Sequence, residues 1–257
     1  MIDIKKAEEE FKKYANSYDM SESHLYRKVT HTFRVEKLCE KIAISVEMNE
    51  EQINLAKLIG LLHDIARFEQ YTKYKTFDDH KSIDHGDLGV EILEEDNYIR
   101  KYVETNKYDE IIKKAISNHN KYEISSNVNE TEEVYCKIIR DADKLDIMYQ
   151  ATCESWKDKI KEINNQIISP KVLEQFISKE IVNKKDVNYD IDRLIIILAF
   201  IYDVNFKESY IQIKENKYID KILDRFNFEK EETKEQIELI RKVANDYINN
   251  QIKNENN

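Results

Sequence analysis

Six histidines occur in the chain, His24, His31, His63, His80, His85 and His119, and three of them fall among apolar residues at helical spacing. His31 is followed by Val35, Leu38 and Ile42 at +4, +7 and +11, which sets it on the inward stripe of a helix. His119 follows Ile112, Ala115 and Ile116 at −7, −4 and −3 and points inward for the same reason. His63 and Asp64 stand inside the apolar run "IGLLHDIA", and Asp143 lies four residues after Ile139 in "KIIRDADKLDIM". Taken singly, each has a plain explanation. A histidine on an apolar stripe is more often a hydrogen-bonded core residue than a ligand, and Asp143 could pair with Arg140 or Lys144. Together they are costly to bury, because a carboxylate removed from water needs a counter-charge or a cation. One divalent ion shared by several imidazoles and carboxylates meets that need.

The elements that must position these residues are helices. Only three glycines and one proline occur in 257 residues, too few for the frequent turns of a sheet protein, and no glycine-rich phosphate loop exists. The 3.6-residue period predicts helices over 3–18 and 22–48, the second with a stripe of Leu25, Val35, Leu38, Ile42 and Val46. Asn49, with Gln52 three residues on, reads as a capping box. It opens a helix that is apolar on most of its circumference (Leu55, Leu58, Ile59, Leu61, Leu62, Ile65) and is therefore expected at the centre. Residues 67–84 break the pattern and read as a long, polar binding loop. Helical patterns resume over 86–95, 108–119, 131–150, 154–167, 170–182, 190–204, 207–226 and 229–252, and the polar segment 183–190 is the best break between lobes.

The order His31, then His63-Asp64, then Asp143 resembles the H…HD…D signature of the HD superfamily of metal-dependent phosphohydrolases. "LLHDIAR" and "RDADKLD" are similar to the contexts of its second and last motifs. The resemblance covers about residues 22–150 and implies an all-α, multi-helix HD-domain bundle, which the helical patterns extend to 1–182. A C-terminal helical extension over 183–257 would pack on the same domain. It implies that His31, His63, Asp64 and Asp143 bind a divalent metal, with Asp141 as the alternate to Asp143. His85, in "DHGDLG", and His119, in "SNHN", match positions that hold a second metal in some HD families, and Asp64 would then bridge two ions. Families with two metals often have paired histidines where this chain has Asn118-His119. One ion or two therefore both stay open, and His85 and His119 are either ligands or substrate contacts. Arg67, Lys144 and His80 are the candidate substrate contacts, and Asp64, His85 and Arg67 the candidate catalytic groups.

Oxygen and nitrogen donors without thiolate fit Mn²⁺, Fe, Co²⁺, Ni²⁺ or Mg²⁺. The expected reaction is metal-assisted hydrolysis of a phosphoester or phosphoanhydride in a small phosphorylated molecule, with a nucleotide as the expected substrate. A nucleotide-binding regulatory module without turnover, and an HD-type di-iron oxygenase, are the alternatives. A net charge of −10 disfavours a nucleic acid polymer as partner. The longest apolar stretch, within 191–204, is too short to span a bilayer, and the amphipathic N-terminus has no signal-peptide core, so a cytoplasmic protein is expected. Cys39, Cys136 and Cys153 form no CxxC pair, and the first two read as core residues.

Overall fold

The computed structural model describes residues 2–153 and 163–254, and among these the regular elements are all helical. They form two units, Met1–Ala142 and Asp143–Asn257. The first contains α1 (Ile4–Asn16), α2 (Ser23–Ser45), α3 (Glu50–Leu62), α4 (Ala66–Tyr74), α5 (His85–Glu94), α6 (Asp109–Asn118) and the start of α7 (Glu130–Ala151). Helix α3 begins at the expected capping box, where the Asn49 side chain accepts from the Gln52 N–H and the Gln52 side chain accepts from the Asn49 N–H. Leu55, Leu58, Ile59, Leu61 and Leu62 are all buried, and α3 packs against α1, α2 and α6, as an all-round apolar helix must.

Gly60 lets α2 and α3 approach closely. A Cβ there would sit 2.9 Å from Glu36 Cα and 3.0 Å from Cys39 Sγ. Glu36 lies five residues after His31 and Gly60 three before His63, so this contact also sets the distance between the two imidazoles.

In the first unit three expectations change. Helix α2 ends at Ser45, leaving Val46 39% exposed, and its buried face runs through His31, Thr32, Val35, Glu36, Cys39 and Ile42. Half of the supposed loop 67–84 is helix α4, followed by a short 3-10 turn, Asp79–Lys81. Its inward side includes the fully buried Gln70, so the apolar period that reveals other helices is interrupted by polar packing. His63 and Asp64 stand in the turn between α3 and α4, and Arg67 therefore belongs to α4. The hydroxyl of Tyr14, on α1, donates to the Ile65 carbonyl and secures that turn.

Glu36 is buried, and burial together with the neighbouring Glu8 carboxyl pushes its own up to about 7, against the pull of Lys57. A carboxyl raised in the folded state stabilises the fold below its ordinary value of 4.5 and loses that contribution as pH rises through about 7. Glu36→Gln should accordingly be more stable than wild type at pH 8 by about 2–3 kcal/mol, and should lose this advantage toward pH 5. Urea unfolding of both proteins at the two pH values measures it; parallel pH slopes would contradict the assignment.

The second unit holds the rest of α7, α8 (Pro170–Ile177), α9 (Asp190–Leu198), α10 (Lys207–Glu215), α11 (Tyr218–Leu223) and α12 (Glu231–Lys253). The long helix α12 packs on α8, α10 and α11, and α8 packs on α9. Asp192 is fully buried and accepts from Ser169 N, Ser169 Oγ, Asn188 N and Tyr189 N at 2.7–3.0 Å, which ties the entries of α8 and α9 together. The stretch expected as one helix over 207–226 is broken at Lys217, whose φ of 54° is left-handed. Most of the helix expected over 154–167 lies outside the described residues; Ile163–Asn165 form a 3-10 turn. The segment 183–190 lies inside the second unit and carries another such turn, Lys184–Asp186. Among the described residues, no helix is long and apolar enough to cross a membrane.

Candidate metal centre

Asp64 is the hub of the site. Its Oδ2 lies 3.4 Å from His31 Nε2 and 3.5 Å from His63 Nε2. Its Oδ1 lies 3.4 Å from His85 Nε2 and 3.7 Å from His119 Nε2. One carboxylate thus divides four buried imidazoles into two groups that share it, each with donor atoms within 4.8 Å of one another. The helices place them: His31 mid-α2, His63 as the C-cap of α3, His85 as the first residue of α5 and His119 as the C-cap of α6.

The outer nitrogens decide what the inner ones can do. His63 Nδ1 lies 2.7 Å from the Gly60 carbonyl and His119 Nδ1 2.6 Å from the Ile116 carbonyl, in each case the residue three back in its helix. A carbonyl only accepts, so both rings carry the proton on Nδ1 and offer a lone pair at Nε2. His85 Nδ1 lies 2.7 Å from Asp79 Oδ2 and is protonated for the same reason. His85 Nε2 then meets His119 Nε2 at 2.9 Å with a lone pair on each, a repulsive contact that a shared cation turns into an attractive one. His31 and His63 bring their Nε2 atoms to 3.2 Å. This donor set, imidazole nitrogens backed by hydrogen-bond acceptors plus a carboxylate, fits a divalent metal.

The charges agree. Burial alone would raise the Asp64 carboxyl, but Lys28 Nζ at 2.6 Å and Arg67 outweigh it and hold it well below the usual carboxylate range. Burial pushes the His85 imidazole down to about 4 against the opposing pull of Asp79, so the ring is neutral at pH 7, as a ligand must be.

The remaining expected residues lie as follows. Arg67 is engaged by protein acceptors: Nε donates to Asp64 Oδ1 at 3.3 Å, and Nη1 to Gln70 Oε1, the Phe77 carbonyl and Asp79 Oδ1 at 2.7–3.0 Å. It is built into the walls of the site, where its spacing had suggested a free phosphate contact. His80 is exposed in its 3-10 turn, and the loop residue that reaches the centre is its neighbour Asp79. Asp141 is fully buried in the first unit. Asp143, half-buried, and Lys144, buried and 2.9 Å from Asp203, belong to the second. His24 is half-buried and packs 5.0 Å from the Tyr71 ring, where a surface position was expected. Cys39 and Cys136 are buried as expected, and burial pushes the Cys136 thiol up to about 12.

Sequence reading missed Lys28, Gln70, Asp79 and Asn120. Lys28 was within reach, since it precedes His31 by three residues and so lies one turn away on the same face of α2. Asn120 donates to Asp79 Oδ2 and Asp84 Oδ1. It lies so near α5 that a Cβ on Gly86 would come within 2.5 Å of its Oδ1. Arg140 is buried and donates to the carbonyls of Asn118, Lys121 and Tyr122, which anchors the chain on both sides of His119.

No curated protein and no solved structure matches the chain. The model of the HD-domain family matches residues 29–148, a stretch that contains His31, His63, Asp64, His85, His119 and Asp143. With the histidines and Asp64 of that stretch gathered in one buried cluster, the chain carries an HD domain over residues 29–148.

Proposed function

We propose that this protein is a metal-dependent phosphohydrolase acting on a small phosphorylated molecule, with a nucleotide as the expected substrate. The observation that carries this reading is the single Asp64 carboxylate set between two pairs of imidazoles that all present Nε2. His31, His63 and Asp64 would hold one ion and Asp64, His85 and His119 a second, with Asp143 added as a ligand on the strength of the family motif. When bound, such ions supply a water activated near neutral pH and compensate charge on phosphoryl oxygens. Mn²⁺, Fe, Co²⁺, Ni²⁺ and Mg²⁺ all suit the oxygen and nitrogen donors.

Among the side chains on Asp64, Lys28 is the one suited to the substrate. Its ammonium has a compact charge, 20% of its side chain is exposed, and it lies over the Phe77 ring at 5.3 Å. Arg67, committed to Gln70, Phe77 and Asp79, keeps the walls of the site in place. We assign Lys28 to a phosphoryl oxygen. Lys28→Met should lower kcat/KM by about 10–100-fold, the scale of one lost charged contact in a transition state, while metal content stays at the wild-type level.

The test is release of phosphate or pyrophosphate from a panel of nucleotides and simple phosphoesters with Mn²⁺, and its loss in EDTA. Stabilisation by a nucleotide with no product would leave a binding module. Dioxygen consumption by the iron-loaded protein would leave an oxygenase.

A further inference from the structure

The four histidines do not depend on the same kind of support. His63 and His119 lean on main-chain carbonyls, which no substitution removes. His85 leans on a side chain, Asp79. We propose that Asp79 is a positioning residue for the His85 side of the centre, fixing the tautomer and aim of that ring and thereby the occupancy of the Asp64–His85–His119 group. The inference rests on the metal reading of the site given above.

The two oxygens of Asp79 have separate tasks. Oδ1 is held by α4: Gln70 Nε2 donates to it at 2.8 Å and Arg67 Nη1 at 3.0 Å. Oδ2 faces the site, 2.7 Å from His85 Nδ1 and 3.2 Å from Asn120 Nδ2. Gln70 is fully buried, and because its Oε1 accepts from Arg67, its amide nitrogen must point at Asp79, Ser82 Oγ and the Ile83 carbonyl. The segment from Phe77 to Asp84 is thereby stitched to α4 and delivers Asp79 in one orientation. A carboxylate in this place makes the imidazole a better donor than a carbonyl does, since its full negative charge draws the Nδ1 proton and enriches Nε2. In Asp79→Asn the charge is lost, and with the amide nitrogen turned to the ring, the His85 proton shifts to Nε2 and blocks ligation.

The consequence is selective. Asp79→Asn should weaken one Mn²⁺ site of the full-length protein by about 10–100-fold and leave the other, on His31 and His63, within about 2-fold. Mn²⁺ titration followed by electron paramagnetic resonance reads both sites. A metal-free readout is the long-range ¹H–¹⁵N spectrum of the imidazoles. His85 of wild type must carry its proton on Nδ1, and this check stands whether or not the variant folds. Two wild-type Mn²⁺ sites with unchanged affinities in Asp79→Asn would overturn this inference alone. So would an equal weakening of both, or an Nε2-protonated His85 in wild type. A wild-type protein that binds no Mn²⁺ would overturn the metal reading as well.

Discussion

Replacing Asp64 by alanine should remove metal from both groups at once, because the two share this one carboxylate. Bound metal, measured by plasma mass spectrometry, should drop from about two ions per chain to near background. Turnover should fall about 10³-fold or more, equivalent to ~4 kcal/mol of transition-state stabilisation. Single removal of His31 or His119 should be milder, since each belongs to one group. The metal-free protein should be weakened too. Lys28 and Arg67 both donate to Asp64 and hold its carboxyl well below the usual range, so the charge is paired, and its loss takes the carboxylate from Lys28 and one acceptor from Arg67. An unpaired buried aspartate would have made the same substitution stabilising. With these partners the expected cost at pH 7 is about 2–3 kcal/mol, somewhat less than for a fully enclosed pair because Lys28 reaches solvent. A depressed carboxyl contributes stability above its ordinary pKa and loses it as pH falls through the folded value. The gap between wild type and Asp64→Ala should therefore persist from pH 8 to pH 5 and close on stronger acidification. An Asp64→Ala protein that retained its metal would falsify the assignment of the centre.

Arg140→Met should produce a large loss of stability while leaving every metal donor in place. The guanidinium donates to three main-chain carbonyls, at Asn118, Lys121 and Tyr122, and is buried. Methionine fills most of the volume and restores none of those bonds. At roughly 1 kcal/mol for each acceptor left without a donor, the cost is about 3 kcal/mol, a fall of roughly 6–12 °C in Tm for a protein of this size. The same carbonyls set the chain on either side of His119. Metal affinity should therefore decline at the His85 and His119 group before it declines at His31 and His63. Thermal melts with and without Mn²⁺ give the first quantity, and the same titration proposed for Asp79 gives the second. A Tm within about 2 °C of wild type would show that water replaces the guanidinium at no cost.

These results divide what was readable in one dimension from what was not. Scarce glycine and proline and a 3.6-residue apolar period specify helices, because backbone hydrogen bonding sets that period whatever the partner. The capping box at Asn49 and the central place of α3 follow from side chains a few residues apart. The same period put His31 and His119 on inward faces, and their order with His63-Asp64 and Asp143 pointed to the HD superfamily. Helix α4 escaped, because its inward face is paid for in hydrogen bonds by Gln70 and Arg67, and polar packing leaves no period to read. Asp79 and Asn120 escaped for a related reason, since each matters only through partners from other elements. The sequence by itself determined a helical protein with histidines and aspartates too costly to bury apart. Only the tertiary structure decided that one carboxylate stands between two pairs of imidazoles, that Lys28 joins it and that Arg67 is committed elsewhere. Periodicity tells which way a side chain faces on its own helix, whereas distances between side chains depend on how closely helices approach, as at Gly60, and that is settled by packing.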